Sequence, residues 1–177
     1  MNAENIKKVS VFDFDGTLID TQMPDTGKEM WLKAKGEKWA HRGWWSRRES
    51  LDMDVFENKP YEDVIADYKI EAANPTTFVT VCTGRIVPLR KQVQAILDKN
   101  GLIFDEVILA GQKPWNKGAH DTLIFKINYL SDLQKRFPNL EEIEFWDDRN
   151  EHIPTFVQWG KLQEIPVKIN HVHKDNR

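Results

Sequence analysis

Val9-Ser10-Val11-Phe12-Asp13-Phe14-Asp15-Gly16-Thr17-Leu18 is the stretch from which the fold of this chain can be read. A short apolar run, Val9 to Phe12, leads into two aspartates two residues apart, and Gly16 supplies a turn. Nearly continuous apolar runs of this length suit parallel strands covered on both faces. In an open α/β sheet, ligands bind outside the carboxyl ends of the strands, which is where this loop is expected. Two carboxylates held together there repel each other, so a cation or a proton is expected between them. Mg²⁺ is the natural cation, because it prefers oxygen ligands and often bridges carboxylates to a phosphate.

Working outward, four more apolar runs read as strands: Phe78 to Cys82, Phe104 to Ala110, Ile143 to Trp146 and Ile165 to Ile169. Between them lie helical patterns. One begins at Pro88, repeats through Leu89, Val93, Ile96 and Leu97, and stops at Asn100-Gly101. A second starts at Asp121 and carries Leu123, Ile127, Leu130, Leu133 and Phe137. A shorter one spans Asn150 to Trp159, with Gly160 expected at its end. Strand alternating with helix predicts an α/β, three-layer, Rossmann-like core with a parallel sheet and right-handed crossovers. Residues 1–177 are expected to form a single domain. Residues 20–76, longer than a crossover requires, are expected to be a small insertion after the first strand, lying over the carboxyl edge of the sheet. Within it, Thr26 to Lys35 and Tyr61 to Ala73 read as helical.

A second acidic pair, Asp147-Asp148, follows the strand from Glu142 to Trp146. Two such clusters at two strand ends can converge on one ion. Thr83 follows another strand, and Gly84-Arg85 is expected to lead into a helix whose first N–H groups favour phosphate oxygens; a simple helix cap is the plainer alternative. Lys126 borders the apolar stripe of its helix. It is either a surface lysine with a buried stem or a partner of the carboxylates and a bound phosphate. Lys117, in a Gly- and Pro-containing loop, competes with it.

The bulk numbers restrict the reading less. The 177 residues carry a formal net charge of −3, which argues neither for nor against nucleic acid. A single cysteine, Cys82, cannot form an internal disulfide and suits a reducing compartment. The polar N-terminus lacks the apolar core of a signal peptide, and no apolar run approaches membrane-helix length. A cytoplasmic protein without membrane partners is expected. Locally the picture differs between Trp31 and Arg48. There Lys33, Lys35, Lys38, Arg42, Arg47 and Arg48 face Glu37 alone, interleaved with Trp31, Trp39, Trp44 and Trp45. Basic groups can meet backbone phosphates while indoles stack on bases. The competing reading has the tryptophans packing this segment onto the core, with the charges solvated.

Asp13-x-Asp15-Gly-Thr, Thr83, Lys126 and Asp147-Asp148, in that order, resemble the four motifs of haloacid dehalogenase (HAD) phosphatases. The resemblance implies that Asp13 attacks phosphorus to form an aspartyl-phosphate and that Asp15 serves as acid and then base. It implies that Thr83 and Lys126 hold phosphoryl oxygens. Mg²⁺ would be bound by Asp13, by Asp147 and Asp148, and by Asp15 through its backbone carbonyl. Thr21 to Pro24, Gly43-Trp44-Trp45, Thr83-Gly84-Arg85, Thr122-x-x-Phe125-Lys126 and Trp146 to His152 further resemble the HAD domain of Swiss Army Knife RNA repair proteins. The Asp-Asp-Arg ending is similar to polynucleotide 3′-phosphatases. Both imply terminal phosphates of RNA or DNA as substrate, with Gly84, Arg85, Trp44, Trp45 and Arg47 as substrate-binding residues. Since no Gly-rich Walker loop is present, a partner kinase or ligase is expected to be another chain. The alternatives are a small-molecule phosphatase or nucleotidase, and a nucleic-acid-binding module with an idle site. Cys82 reads as a buried strand residue, His171 and His173 as part of a frayed tail rather than a metal site, and His152 as peripheral.

Overall fold

In β1 (Lys8–Phe12), Val9 and Val11 belong to one apolar cluster and Phe12 to another. Successive strand residues point to opposite faces, so this alternation divides the molecule into layers. The computed structural model describes residues 2–115 and 122–173. Four further strands, β2 (Thr77–Ile86), β3 (Glu106–Ala110), β4 (Glu142–Asp147) and β5 (Val167–His171), complete a parallel sheet in the order β3-β2-β1-β4-β5. Each neighbouring pair is parallel, as the α/β reading requires.

One face of the sheet is covered by α2 (Glu62–Ala72) and α3 (Arg90–Lys99). Val64, Tyr68, Val93, Ile96 and Leu97 there pack with Phe12, Val79, Val81 and Trp146. The other face carries α4 (Thr122–Arg136) and α5 (Ile153–Gly160), whose Phe125, Tyr129, Leu130, Leu133 and Phe156 pack with Val9, Val11, Ile143 and Phe145. The chain runs outward from β1 to β3, then returns past β1 to β4. The strand order therefore reverses between β1 and β4, and ligands bind at such a switch point.

Helices and strands lie close to where the periodicity puts them, with three informative differences. Gly160 does not stop α5 as a left-handed cap. It is the last helical residue, and a Cβ there would come 3.1 Å from Cβ of Val167, so close approach of α5 to β5 explains the glycine. Thr83 to Ile86 continue β2, with a register irregularity, and do not open a helix. Finally, the stretch between β1 and β2 is of two kinds. Helix α2 sits in the ordinary crossover position against the sheet, whereas the residues before it, including α1 (Pro24–Lys35), are additional. The expected helix start at Asp121 and the alternative Lys117 lie outside the described residues.

Candidate active site

The register pairs Phe12 with Trp146, so the residues that follow, Asp13 and Asp147, emerge side by side. The amide of Asp13 donates to the Trp146 carbonyl at 2.9 Å and extends the ladder by one rung. Beyond it the chain turns back: Gly16 at φ +72° donates to the Ile19 carbonyl, and Leu18 and Ile19 donate to the carbonyls of Asp13 and Phe14. A left-handed φ at this point explains the glycine between Asp15 and Thr17.

Lys126 reaches this point from α4. Its Nζ lies 2.7 Å from Oδ1 of Asp13 and 2.6 Å from Oδ2 of Asp147, and the side chain is 1% exposed. It is thus an interior cation joining two strand ends, and not the surface lysine of the plainer reading. Burial alone would lower its pKa, but the Asp13 and Asp147 carboxylates outweigh burial and hold it above the ordinary lysine value. Asp13 is pushed up to about 8, chiefly by burial. Lys126 pulls it down, while Asp147, Asp148 and Asp15 push it further up.

Asp13, Asp147 and Asp148 each offer an oxygen, and these oxygens lie within 4.8 Å of one another. The donor set is all carboxylate, the kind that hard dications such as Mg²⁺ select over softer metals. A second positive charge also suits a cluster in which one ammonium faces three acids. The residues present therefore fit the ion. The Asp15 carboxylate is not among these donors, because it is turned to other partners.

Those partners are Arg85 and Thr21. Nε of Arg85 lies 3.0 and 2.9 Å from Oδ1 and Oδ2 of Asp15, its Nη2 lies 2.7 Å from Oδ1, and the Thr21 hydroxyl donates to Oδ1 at 2.8 Å. Nη1 of Arg85 donates to the Trp45 carbonyl at 3.0 Å and to the Ser50 hydroxyl at 2.7 Å. Each guanidinium nitrogen is engaged within the protein, so Arg85 is a strut between protein groups. Its side chain is also part of the cavity wall. Thr83 is buried, and its hydroxyl accepts from the Arg85 amide at 3.0 Å. Gly84 is pressed against α4: a Cβ would lie 2.9 Å from Cγ2 of Thr122.

A cavity of about 610 Å³ opens above these groups. Its lining includes Asp13, Asp15, Gly84, Arg85, Lys126 and Asp148, together with Met23, Trp45, Arg149, His171 and His173. Trp45 lies with its ring 4.9 Å from the Arg85 guanidinium. Trp44 does not line the cavity. It is 3% exposed, donates from Nε1 to the Gln22 carbonyl at 2.9 Å, and packs against Trp39 and Phe56. The indole is the interior of the added segment and lies away from the cavity lining. Arg47 is also absent from the lining; its Nε donates to the Arg42 carbonyl.

His171 is the last residue of β5, and Val172 after it is buried, so the expected frayed tail is an ordered strand end whose two imidazoles reach the cavity. His152 is buried and lies outside the lining. Burial pushes the Cys82 thiol up, which leaves it no part as a nucleophile. Sequence reasoning gave no part in the site to Ser50 or Thr21; a lone hydroxyl in a polar stretch carries no periodic signal.

Residues 28–174 match the model of HAD domain family 1 in Swiss Army Knife RNA repair proteins. The chain belongs to that family. The matched span holds Trp45, Thr83 to Arg85, Lys126 and Asp147-Asp148, while Asp13 and Asp15 precede it and are placed beside them by the sheet. Similar solved structures share the HAD fold. A chain of a Pnkp1/Rnl/Hen1 complex aligns over 96% of this chain and 47% of its own length, at 16% identity and TM-score 0.57. The HAD domain of the effector protein Lem4 from Legionella pneumophila aligns over 99% of this chain and 91% of its own, at 13% identity and TM-score 0.54. This chain thus spans about half the length of the Pnkp1/Rnl/Hen1 chain. It is a phosphatase-type HAD domain related to RNA repair proteins. Among the described residues, no helix is long and apolar enough to cross a membrane.

Proposed function

We propose that this domain is a Mg²⁺-dependent phosphomonoesterase that acts through an aspartyl-phosphate on terminal phosphates of RNA or DNA. The observation that carries the chemistry is the convergence of Asp13, Lys126, Asp147 and Asp148 beneath one cavity. An Oδ atom of Asp13 attacks phosphorus while the bond to the leaving oxygen breaks and Asp15 gives that oxygen a proton. Water then attacks the phosphorus, Asp15 takes its proton, and the Asp13–phosphorus bond breaks to release phosphate. Splitting one hard displacement into two is the advantage of a covalent intermediate. Lys126 neutralises the peripheral oxygens, where the charge of a loose transition state resides, and Thr83, behind the cavity lining with its hydroxyl on the Arg85 amide, supports the loop that faces them. Mg²⁺ held by Asp13, Asp147 and Asp148 would screen the nucleophile from the anion it attacks.

The nucleic-acid reading rests on the family and on the cavity. A volume of about 610 Å³ far exceeds one phosphate, and it sits within the range of ordinary ligand pockets. Trp45 offers an aromatic wall for a terminal base, and Arg149 a charge for a neighbouring phosphate. The test is phosphate release from 3′-phosphorylated RNA and DNA, with 5′-phosphorylated oligonucleotides and a nucleotide panel alongside. Release from 3′ ends is expected in Mg²⁺, with loss in EDTA and a drop of ~10³-fold or more in Asp13→Asn. Release from small esters alone would keep the chemistry and overturn the polymer. Silence on all substrates, with salt-sensitive RNA binding retained, would mean an idle site.

A further inference from the structure

We infer that Arg85 and Ser50 are positioning residues for the proton transfer at Asp15, making the segment that carries Trp45 a structural part of the acid–base apparatus. The inference rests on the phosphatase reading above. Arg85 is 1% exposed and its three guanidinium nitrogens divide their bonds between two places. Nε and Nη2 grip the Asp15 carboxylate, while Nη1 grips the Trp45 carbonyl and the Ser50 hydroxyl. A planar guanidinium is rigid, so moving either end moves the other.

Ser50 completes the strut on the far side. It is wholly buried, accepts from Arg85 at 2.7 Å and donates to the Arg47 carbonyl at 2.7 Å. At the near side the two oxygens of Asp15 are treated unequally. Among the described residues, Oδ1 receives Thr21, Nε and Nη2, whereas Oδ2 receives Nε alone. Oδ2 therefore keeps one lone pair on which to carry a proton, and Oδ1 serves as the anchor that fixes the plane of the carboxyl. During phosphoryl transfer the proton passes from Oδ2 to the leaving oxygen as its bond to phosphorus breaks and the Asp13 bond forms. A shift of the guanidinium at its Ser50 end would therefore be felt at Oδ2 of Asp15, on the other side of the same fork.

The test uses phosphate esters whose leaving groups run from nitrophenol to simple alkyl alcohols, with kcat/KM measured for wild type, Ser50→Ala and Arg85→Lys. This parameter ends at phosphoryl transfer to Asp13, so it isolates the acid step. A nitrophenolate leaves without help, whereas an alkoxide needs the proton. Positioned general acids contribute ~10²–10⁴-fold, so Ser50→Ala is expected to lose roughly 5- to 50-fold on alkyl esters and less than about 3-fold on nitrophenyl phosphate. In an Asp15→Asn background the Ser50→Ala effect is expected to vanish, because the two act through one group. Equal losses on every ester, or a Ser50→Ala effect that persists without Asp15, would overturn the inference while leaving the phosphatase intact. A wild type silent on every ester would end both. Arg85→Lys, which keeps the charge and loses the fork, is expected to follow Ser50→Ala in pattern and exceed it in size.

Discussion

At the scale of single residues, Trp44 and Trp45 are adjacent in sequence and opposite in situation. The indole of Trp44 is enclosed between Trp39, Phe56 and α1, where Gly27 leaves room for it: a Cβ at Gly27 would fall 2.3 Å from two of its ring atoms. Trp45 is half-buried and lines the cavity. Removing a buried indole typically costs about 3–5 kcal/mol, so Trp44→Ala is expected to lower the urea midpoint sharply. Trp45→Ala is expected to leave that midpoint nearly unchanged and to raise KM for oligonucleotides roughly 5- to 100-fold, the worth of about one base stack. An effect of Trp45→Ala equal on oligonucleotides and nitrophenyl phosphate would remove the stacking role. Sequence could name the pair, because two neighbouring indoles cannot both face one way. It could not assign the faces, since that depends on Gly27 and Phe56, each more than ten positions away. Asp13, by contrast, was legible at once: a carboxylate directly after an apolar strand needs no distant partner to be placed.

At the scale of elements, α2 is held to the sheet by a polar network under its last turns. Lys8 of β1 reaches Glu71 of α2 at 2.9 Å and Glu144 of β4 at 2.6 Å; Lys168 and Asn170 of β5 also meet Glu144, and Ser10 donates to Glu71. Burial pushes the Glu144 carboxyl up, but its bonds to Lys168, Lys8 and Asn170 outweigh burial and hold it below the usual value. A carboxyl depressed in the folded state contributes stability above its unfolded pKa, and loses it as pH falls through the folded one. Stability is therefore expected to decline from about pH 4.5 downward in wild type, and more shallowly in Glu144→Gln. At pH 7 that variant is expected to cost on the order of 1–3 kcal/mol. Urea unfolding across pH 3 to 7 reads both; parallel curves would show that Glu144 does not titrate with folding. None of this network was visible in the periodicity. Ser10 and Glu144 interrupt apolar strands, and only the sheet order brings β1, β4 and β5 together. The same long-range closure explains why α2 read as part of an insertion, although it occupies the crossover site.

At the scale of the whole molecule, the strand order concentrates negative charge at one point. Reversal of direction between β1 and β4 brings Asp13 beside Asp147-Asp148, and Lys126, the one buried cation paired with them among the described residues, leaves the cluster negative. Burial makes that imbalance more costly than it would be at the surface. A dication bound by the folded state alone stabilises it by about 2.7 kcal/mol at one hundred times its dissociation constant. For a chain of this length each kcal/mol moves Tm by roughly 2–4 °C. Millimolar Mg²⁺ is thus expected to raise Tm by several degrees over EDTA, and matched ionic strength from KCl is not. Asp147→Asn and Asp148→Asn are each expected to shrink the Mg²⁺ increment, because each removes a ligand and part of the charge. Asp15→Asn is expected to keep most of it, since its carboxylate belongs to Arg85 and not to the metal cluster. A Tm that ignored Mg²⁺, or an increment lost equally in Asp15→Asn, would mean that the three aspartates are balanced by Lys126 and protons instead. The measurement needs no substrate, so it tests the charge distribution of the fold separately from the identity of the ester it hydrolyses.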